Sequence, residues 1–142
     1  KEGLTPDQMS DLMNKKSGFL GLSGVSSDCR DLWAAAKEGN ERAKLTLEIV
    51  SYQIKKFIGS YAAAMGGVDC IVFTAGVGEN DGGVRQNVLS GLEWMGVEID
   101  ETVNATKRGE IEISTPDSKV KVFVIPTNEE LVIARDTLAL AR

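Results

Sequence analysis

The stretch Cys70–Arg85, CIVFTAGVGENDGGVR, decides how this chain reads. Ile71, Val72 and Phe73 form a continuous apolar run, the pattern of a strand buried on both faces. Thr74, Ala75, Gly76 and Gly78 then strip the backbone of bulk, and Asn80 or Asp81 offers an N-cap for a helix through Leu92. A strand, a small-residue turn and a helix start make a cradle for phosphate or nucleotide. Glycine lets backbone approach a ligand closely, and a helix N-terminus presents unpaired N–H groups and a positive dipole end. The same glycines would serve a corner that only has to turn, so the stretch by itself leaves both uses open.

Upstream, Thr5-Pro6-Asp7-Gln8 is a helix start with a capping box, and Met9, Leu12 and Met13 give a short helix one apolar stripe ending near Lys16. Gly18–Val25, GFLGLSGV, reads as a packed loop. Ser26 or Ser27 then caps a helix closed by Gly39, and Asn40 caps the longest element, running to about Met65. Leu47, Val50, Ile54, Phe57, Tyr61 and Met65 recur at three- and four-residue steps and define one buried face. Gly66-Gly67 stops that helix.

Downstream, Trp94–Asp100 predicts a turn and a short strand, Glu101–Lys107 a helical turn or two, and Glu110–Ser114 a half-exposed strand. Val120–Ile125 is a second apolar strand ended by Pro126. Thr127 opens the last helix with a Thr127-to-Glu130 capping box, and Leu131, Ile133, Ala134 and Leu138 form its packing face. Two strands thus run straight into capped helices, and in open α/β sheets ligands collect outside the carboxyl ends of strands. The expectation is one compact α/β unit spanning residues 1–142.

Composition narrows the function. The 142 residues carry a net charge of −5 and no basic run, which argues against nucleic-acid binding, so an anionic ligand must be held by local donors. No histidine is present, which excludes Ser-His-Asp and Cys-His nucleophilic machinery within the chain. Cys29 and Cys70 have no metal-site spacing and imply no disulfide framework, so a reducing cytoplasm is expected. No apolar run is long enough to span a membrane and no signal-peptide pattern appears. Lys1 in place of Met points to a piece of something longer.

Other nucleotide folds fit poorly. Gly76 and Gly78 match the first two glycines of a dinucleotide fingerprint, with Glu98 or Asp100 near the position of a ribose-binding acid, but Asp81 stands where the third glycine belongs. The chain has no Gly-Lys pair, so it lacks a P-loop, and it has neither HRD nor DFG of the protein kinases.

Four motifs in order resemble the acetate kinase family: Lys15–Gly24 (KKSGFLGLSG), Ser27–Arg30 (SDCR), Phe73–Asn80 (FTAGVGEN) and Ile125–Leu131 (IPTNEEL). The resemblance runs from about Leu4 to Ala139 and implies the carboxyl-terminal third or so of such an enzyme. It implies an actin-like ATPase (ribonuclease H-like) domain, a mixed sheet flanked by helices, in a two-domain kinase that closes over ATP and Mg²⁺. By this likeness Asp28, Cys29 and Arg30 contact nucleotide; a guanidinium can stack on adenine or reach its polar edge, although alone it could equally be a surface ion pair. Cys29 replaces the family's usual Met, leaving a soft apolar residue for packing. Gly76, Val77, Gly78, Glu79 and Asn80 form the second nucleotide segment. Glu129 is implied as the Mg²⁺-associated carboxylate, although an acid there is also stabilised by the helix dipole. Glu130 fits the capping role better, and Arg85 is expected on a solvated helix face, with charge near the phosphates as the alternative.

The complete enzyme would move the γ-phosphoryl of ATP reversibly to acetate. The family's catalytic aspartate, phosphoryl-clamping arginine and histidines are implied upstream of Lys1, so no catalytic residue is assigned here and the chain alone is expected to be inactive. The partners implied are ATP and acetate, the upstream half of the same enzyme and a second copy in a homodimer. Propionate or another short acid as acceptor, and a non-catalytic dimerisation domain, are the alternatives.

Overall fold

In the computed structural model, which describes residues 3–141, the chain forms two compact units that divide between Tyr61 and Ala62, where the sequence predicts one. The first contains helices α1 (Pro6–Lys15), α2 (Gly18–Ser23), α3 (Cys29–Lys37) and α4 (Glu41–Met65) as far as that division. The capping box of α1 forms as expected. The Thr5 amide donates to Gln8 Oε1 at 2.9 Å, and the Gln8 amide donates to Thr5 Oγ1 at 3.3 Å. GFLGLSGV is not a loop. It winds into α2, closed by Gly24 at φ 68°, a left-handed C-cap that suits glycine. Arg42 on α4 then donates to the Leu22 carbonyl from Nε at 3.1 Å and Nη2 at 2.7 Å, placing a cation at the negative end of α2.

Helix α4 starts on Asn40, whose Oδ1 accepts the Ala43 amide at 3.0 Å. Ala43, Thr46, Leu47 and Ser51 are buried, but the expected buried face does not continue. Val50 and Ile54 are half-buried, while Phe57, Tyr61 and Met65 are 58, 61 and 66% exposed. Met9, Leu12 and Met13 of α1 are exposed as well. Periodicity reports that a helix has an apolar face; it carries no information about what covers it.

The second unit runs through β1 (Cys70–Phe73), α5 (Ala75–Asn80), α6 (Gly82–Leu89), a 3₁₀ turn at Glu93–Met95, α7 (Glu101–Thr106), β2 (Ile111–Glu112), β3 (Lys121–Val124) and α8 (Glu129–Leu140). The sheet is mixed, in the order β1-β3-β2, with β1 parallel and β2 antiparallel to β3. Phe73 lies opposite Val124, and the register continues in the Ile125 amide donating to the Phe73 carbonyl at 2.9 Å. The strand predicted near Trp94–Asp100 reduces to two bridges, Val97 to Val120 and Ile99 to Ser114.

Ile71, Phe73, Val84, Val88, Leu89, Leu92, Val97, Ile113, Val120, Val122 and Val124 are all buried. Burial alternates along β1, and Val72 is 46% exposed, so this strand is covered on one face and not on two. Leu131, Ile133, Ala134 and Leu138 of α8 are exposed too, against the packing face expected of them. No helix among the described residues is long and apolar enough to cross a membrane.

Candidate functional site

Because β1 and β3 are parallel neighbours, the corners that follow them leave the same edge of the sheet. After β1 the chain turns through Thr74 and Ala75, and Ala75 takes φ 59°, left-handed and uncommon for a side chain with a Cβ. The small-residue turn is itself helical: Ala75–Asn80 wind into α5, started by Thr74 without a side-chain capping bond. Asp81 then caps α6, accepting the Val84 amide at 2.9 Å, and the helix ends at Leu89, short of Leu92.

The two glycines differ. A Cβ on Gly78 would lie 3.3 Å from the Phe73 carbonyl carbon, so this glycine is set by packing of α5 on β1. A Cβ on Gly76 would meet nothing within 4 Å, so nothing within the protein demands glycine there. Val77 is partly exposed, and Asn80 turns its amide back to donate to the Gly76 carbonyl at 2.9 Å. At least one of the donors expected to face a ligand is therefore spent inside α5.

Glu79 joins the two corners. Its Oε1 accepts from the Thr127 amide at 2.8 Å and from Thr127 Oγ1 at 3.0 Å, and these bonds hold its carboxyl below the usual glutamate range. Thr127 is consequently not the cap of α8. Asn128 takes that role, accepting the Leu131 amide at 3.0 Å, and the predicted Thr127-to-Glu130 capping box does not form. Glu129 opens α8, solvent-exposed, and has no hydrogen bond or ion pair among the described residues.

Arg85 overturns its expected place on a solvated face, because it is fully buried. Its Nη1 donates to the carbonyls of Gly78 at 2.8 Å and Glu79 at 2.9 Å. Its Nε reaches Asn104 Oδ1 at 2.7 Å and its Nη2 the Asn104 carbonyl at 2.8 Å. Asn104 in turn donates to the Gly82 carbonyl at 2.9 Å. Burial lowers the basicity of this guanidinium, with a smaller contribution from Arg108. A signal did exist in the sequence: Arg85 stands three and four residues before Val88 and Leu89, on the apolar face of α6. Asn104 offers no comparable signal, since its partners lie about twenty residues away in the chain.

Asp28, Cys29 and Arg30 belong to the first unit, apart from these corners in the division of the chain. Asp28, not Ser26 or Ser27, caps α3, with Oδ1 accepting the Arg30 amide at 2.8 Å. The Arg30 side chain folds back on the same carboxylate, with Nη2 at 2.6 Å from Oδ2, so it forms a surface ion pair with Asp28. Cys29 is buried, as its packing role requires. The Arg30 hydrogen bonds pull the Asp28 carboxyl down to about 2 from an ordinary 3.8. Because the folded value is depressed, the stability this pair contributes is present above 3.8 and is lost as the pH falls to about 2. An NMR titration is expected to find Asp28 near 2, and Arg30→Ala to return it toward 3.8; an unmoved midpoint would refute the pairing.

No group of three or more Cys, Asp or Glu side chains able to hold a metal occurs among the described residues. A lone carboxylate such as Glu129 suits only an ion that draws its other ligands from water and substrate.

Comparison with known proteins agrees with the four motifs. The Acetokinase family model matches residues 1–135. The acetate kinase of Methanosarcina acetivorans is 61% identical over 137 residues, covering 96% of this chain and 34% of that protein. The crystal structure of Porphyromonas gingivalis acetate kinase superposes with a TM-score of 0.89 at 54% identity, over 99% of this chain and 36% of that one. A propionate kinase from Francisella tularensis superposes with a TM-score of 0.81 at 38% identity, over 93% of this chain and 33% of that one. The fold is that of the actin-like ATPases, and the chain spans about a third of the length of the curated relatives it matches. This chain belongs to the acetokinase family.

Proposed function

We propose that this chain is the carboxyl-terminal, nucleotide-binding part of an acetate kinase, which moves the γ-phosphoryl of ATP reversibly to acetate in the cytoplasm. The observation that carries the reading is Gly76 at a parallel-strand corner: it has an ordinary φ and open space where a side chain would stand, so neither backbone strain nor packing calls for glycine there. Gly76, Val77 and Gly78 bring backbone to the nucleotide, Arg30 contacts the base, with Asp28 orienting its guanidinium and Cys29 packed beneath, and Asn80 supports the turn. Glu129 fits a hard cation, being an exposed carboxylate with no hydrogen bond or ion pair among the described residues. Mg²⁺ held there would neutralise charge on the phosphoryl oxygens, the principal need of such a transfer.

The acyl pocket and the groups that act on the phosphoryl belong to sequence outside these 142 residues. The exposed apolar faces of α1, α4 and α8 support burial against that remainder of the enzyme and against a second copy. Propionate as the acceptor is the second reading, favoured by the likeness to the Francisella tularensis propionate kinase. The complete enzyme carrying this segment is expected to form acetyl phosphate from ATP and acetate faster than propionyl phosphate from propionate. The 142-residue chain alone is expected to form neither. No acyl phosphate from the complete enzyme, or turnover by the chain alone, would overturn the reading.

A further inference from the structure

Family likeness places Glu79 against the nucleotide, but its carboxylate is engaged elsewhere. One oxygen takes both the amide and the hydroxyl of Thr127, a residue 48 positions away and two before Glu129. Bonds to an ionised acceptor are stronger than neutral ones, and these two tie the corners to each other through side-chain chemistry. The base of the same residue is also fixed: its carbonyl, with that of Gly78, is gripped by the buried Arg85 guanidinium. A continuous path therefore runs from the core at Arg85 and Asn104, through the backbone and side chain of Glu79, to Thr127 at the start of α8.

We propose that Glu79 is a positioning residue, a latch that sets the Thr127–Glu129 corner against the Gly76–Asn80 corner and touches no ligand itself. The proposal rests on the nucleotide reading above, since a latch has work to do only where both corners serve one ligand. The depressed carboxyl of Glu79 agrees with it: the group stays ionised and bonded to Thr127 throughout the neutral range.

The test uses the complete enzyme carrying this segment, as Glu79→Ala, Glu79→Gln, Thr127→Val and the Glu79→Ala/Thr127→Val pair. Glu79→Ala is expected to speed hydrogen–deuterium exchange across Thr127–Leu131 while leaving exchange at Val97–Ile113 unchanged. It is also expected to raise the Mg²⁺ concentration for half-maximal activity about tenfold, the usual effect of removing a group that orients a metal ligand. The KM for acetate is expected to hold. Glu79→Gln, which keeps an acceptor oxygen, should recover most of the Mg²⁺ response, and the double variant should be less impaired than the two single effects multiplied.

Faster exchange with an unchanged Mg²⁺ response would make the bond merely structural and overturn the proposal. So would unchanged exchange, or effects of the two substitutions that multiply independently as a direct nucleotide contact predicts. If the unsubstituted enzyme shows no dependence on Mg²⁺ or ATP, the nucleotide reading fails by itself, and unchanged exchange in Glu79→Ala remains the result that refutes the latch.

Discussion

Arg85→Met is expected to destabilise the second unit by about 3 kcal/mol, because it strips a charged donor from two buried oxygens of Asn104 and from the part-buried carbonyls of Gly78 and Glu79. Four bonds end on this one guanidinium, to Gly78, Glu79 and both oxygens of Asn104. Methionine fills a similar volume, so the loss measures unsatisfied oxygens more than an empty cavity. Arg85→Lys should recover little of it. An ammonium keeps the charge but not the planar fork that reaches carbonyls on two elements at once.

Hydrogen–deuterium exchange across residues 62–141 at increasing urea would read the second unit selectively. Asn104→Ala should show strong coupling to Arg85→Met, as expected for members of one network. A loss below about 1 kcal/mol for Arg85→Met, typical of a single ordinary hydrogen bond, would mean that the corner is held by something else.

What the sequence disclosed, and what it withheld, follows from the range of each interaction. Local chemistry was legible: the Thr5–Gln8 box, Asn40 at the head of α4, Asp81 as one of two candidates to cap α6, and both strand-to-helix corners all form. Each involves residues within a few positions, where propensity and short-range hydrogen bonds settle the geometry. Thr127 shows the limit. By local rules it is a good cap with Glu130 in register, yet Glu79 claims its amide and hydroxyl and Asn128 caps instead.

Burial was the less legible half. The stripes of α1, α4 and α8 are amphipathic, but a stripe does not say what covers it, and Phe57, Tyr61 and Ile133 are exposed. Arg85 is the opposite case, a charge that the sequence invites one to place in solvent and that the fold buries among backbone oxygens. At the candidate site, the motif singled out the corner correctly as a corner. It did not separate Gly78, glycine because Phe73 presses on it, from Gly76, where the protein leaves space.

That difference gives the second large prediction. Gly76→Ala and Gly76→Leu place side chains where, beyond the adjoining residues and backbone of α5 itself, no atom of the described residues lies within 4 Å of the Cβ, at a helical position with ordinary φ. Thermal stability should therefore hold or rise slightly, by about 0.4–1 kcal/mol for alanine, since the unfolded chain loses freedom and the folded one gains no clash. Nucleotide binding should respond in the opposite sense. If backbone approaches phosphate or ribose closely at Gly76, a methyl group intrudes and a leucine blocks the approach. Each tenfold loss in affinity corresponds to about 1.4 kcal/mol, well within what one clash removes.

The decisive experiment is calorimetric titration of Mg-ATP into the complete enzyme carrying this segment, unsubstituted and as Gly76→Leu, with melting curves of both. Undiminished stability with affinity lowered about tenfold or more is the result that a nucleotide seated on this corner requires. Equal affinity in the two proteins would contradict it, and would leave Gly76 as a turn residue with no ligand above it.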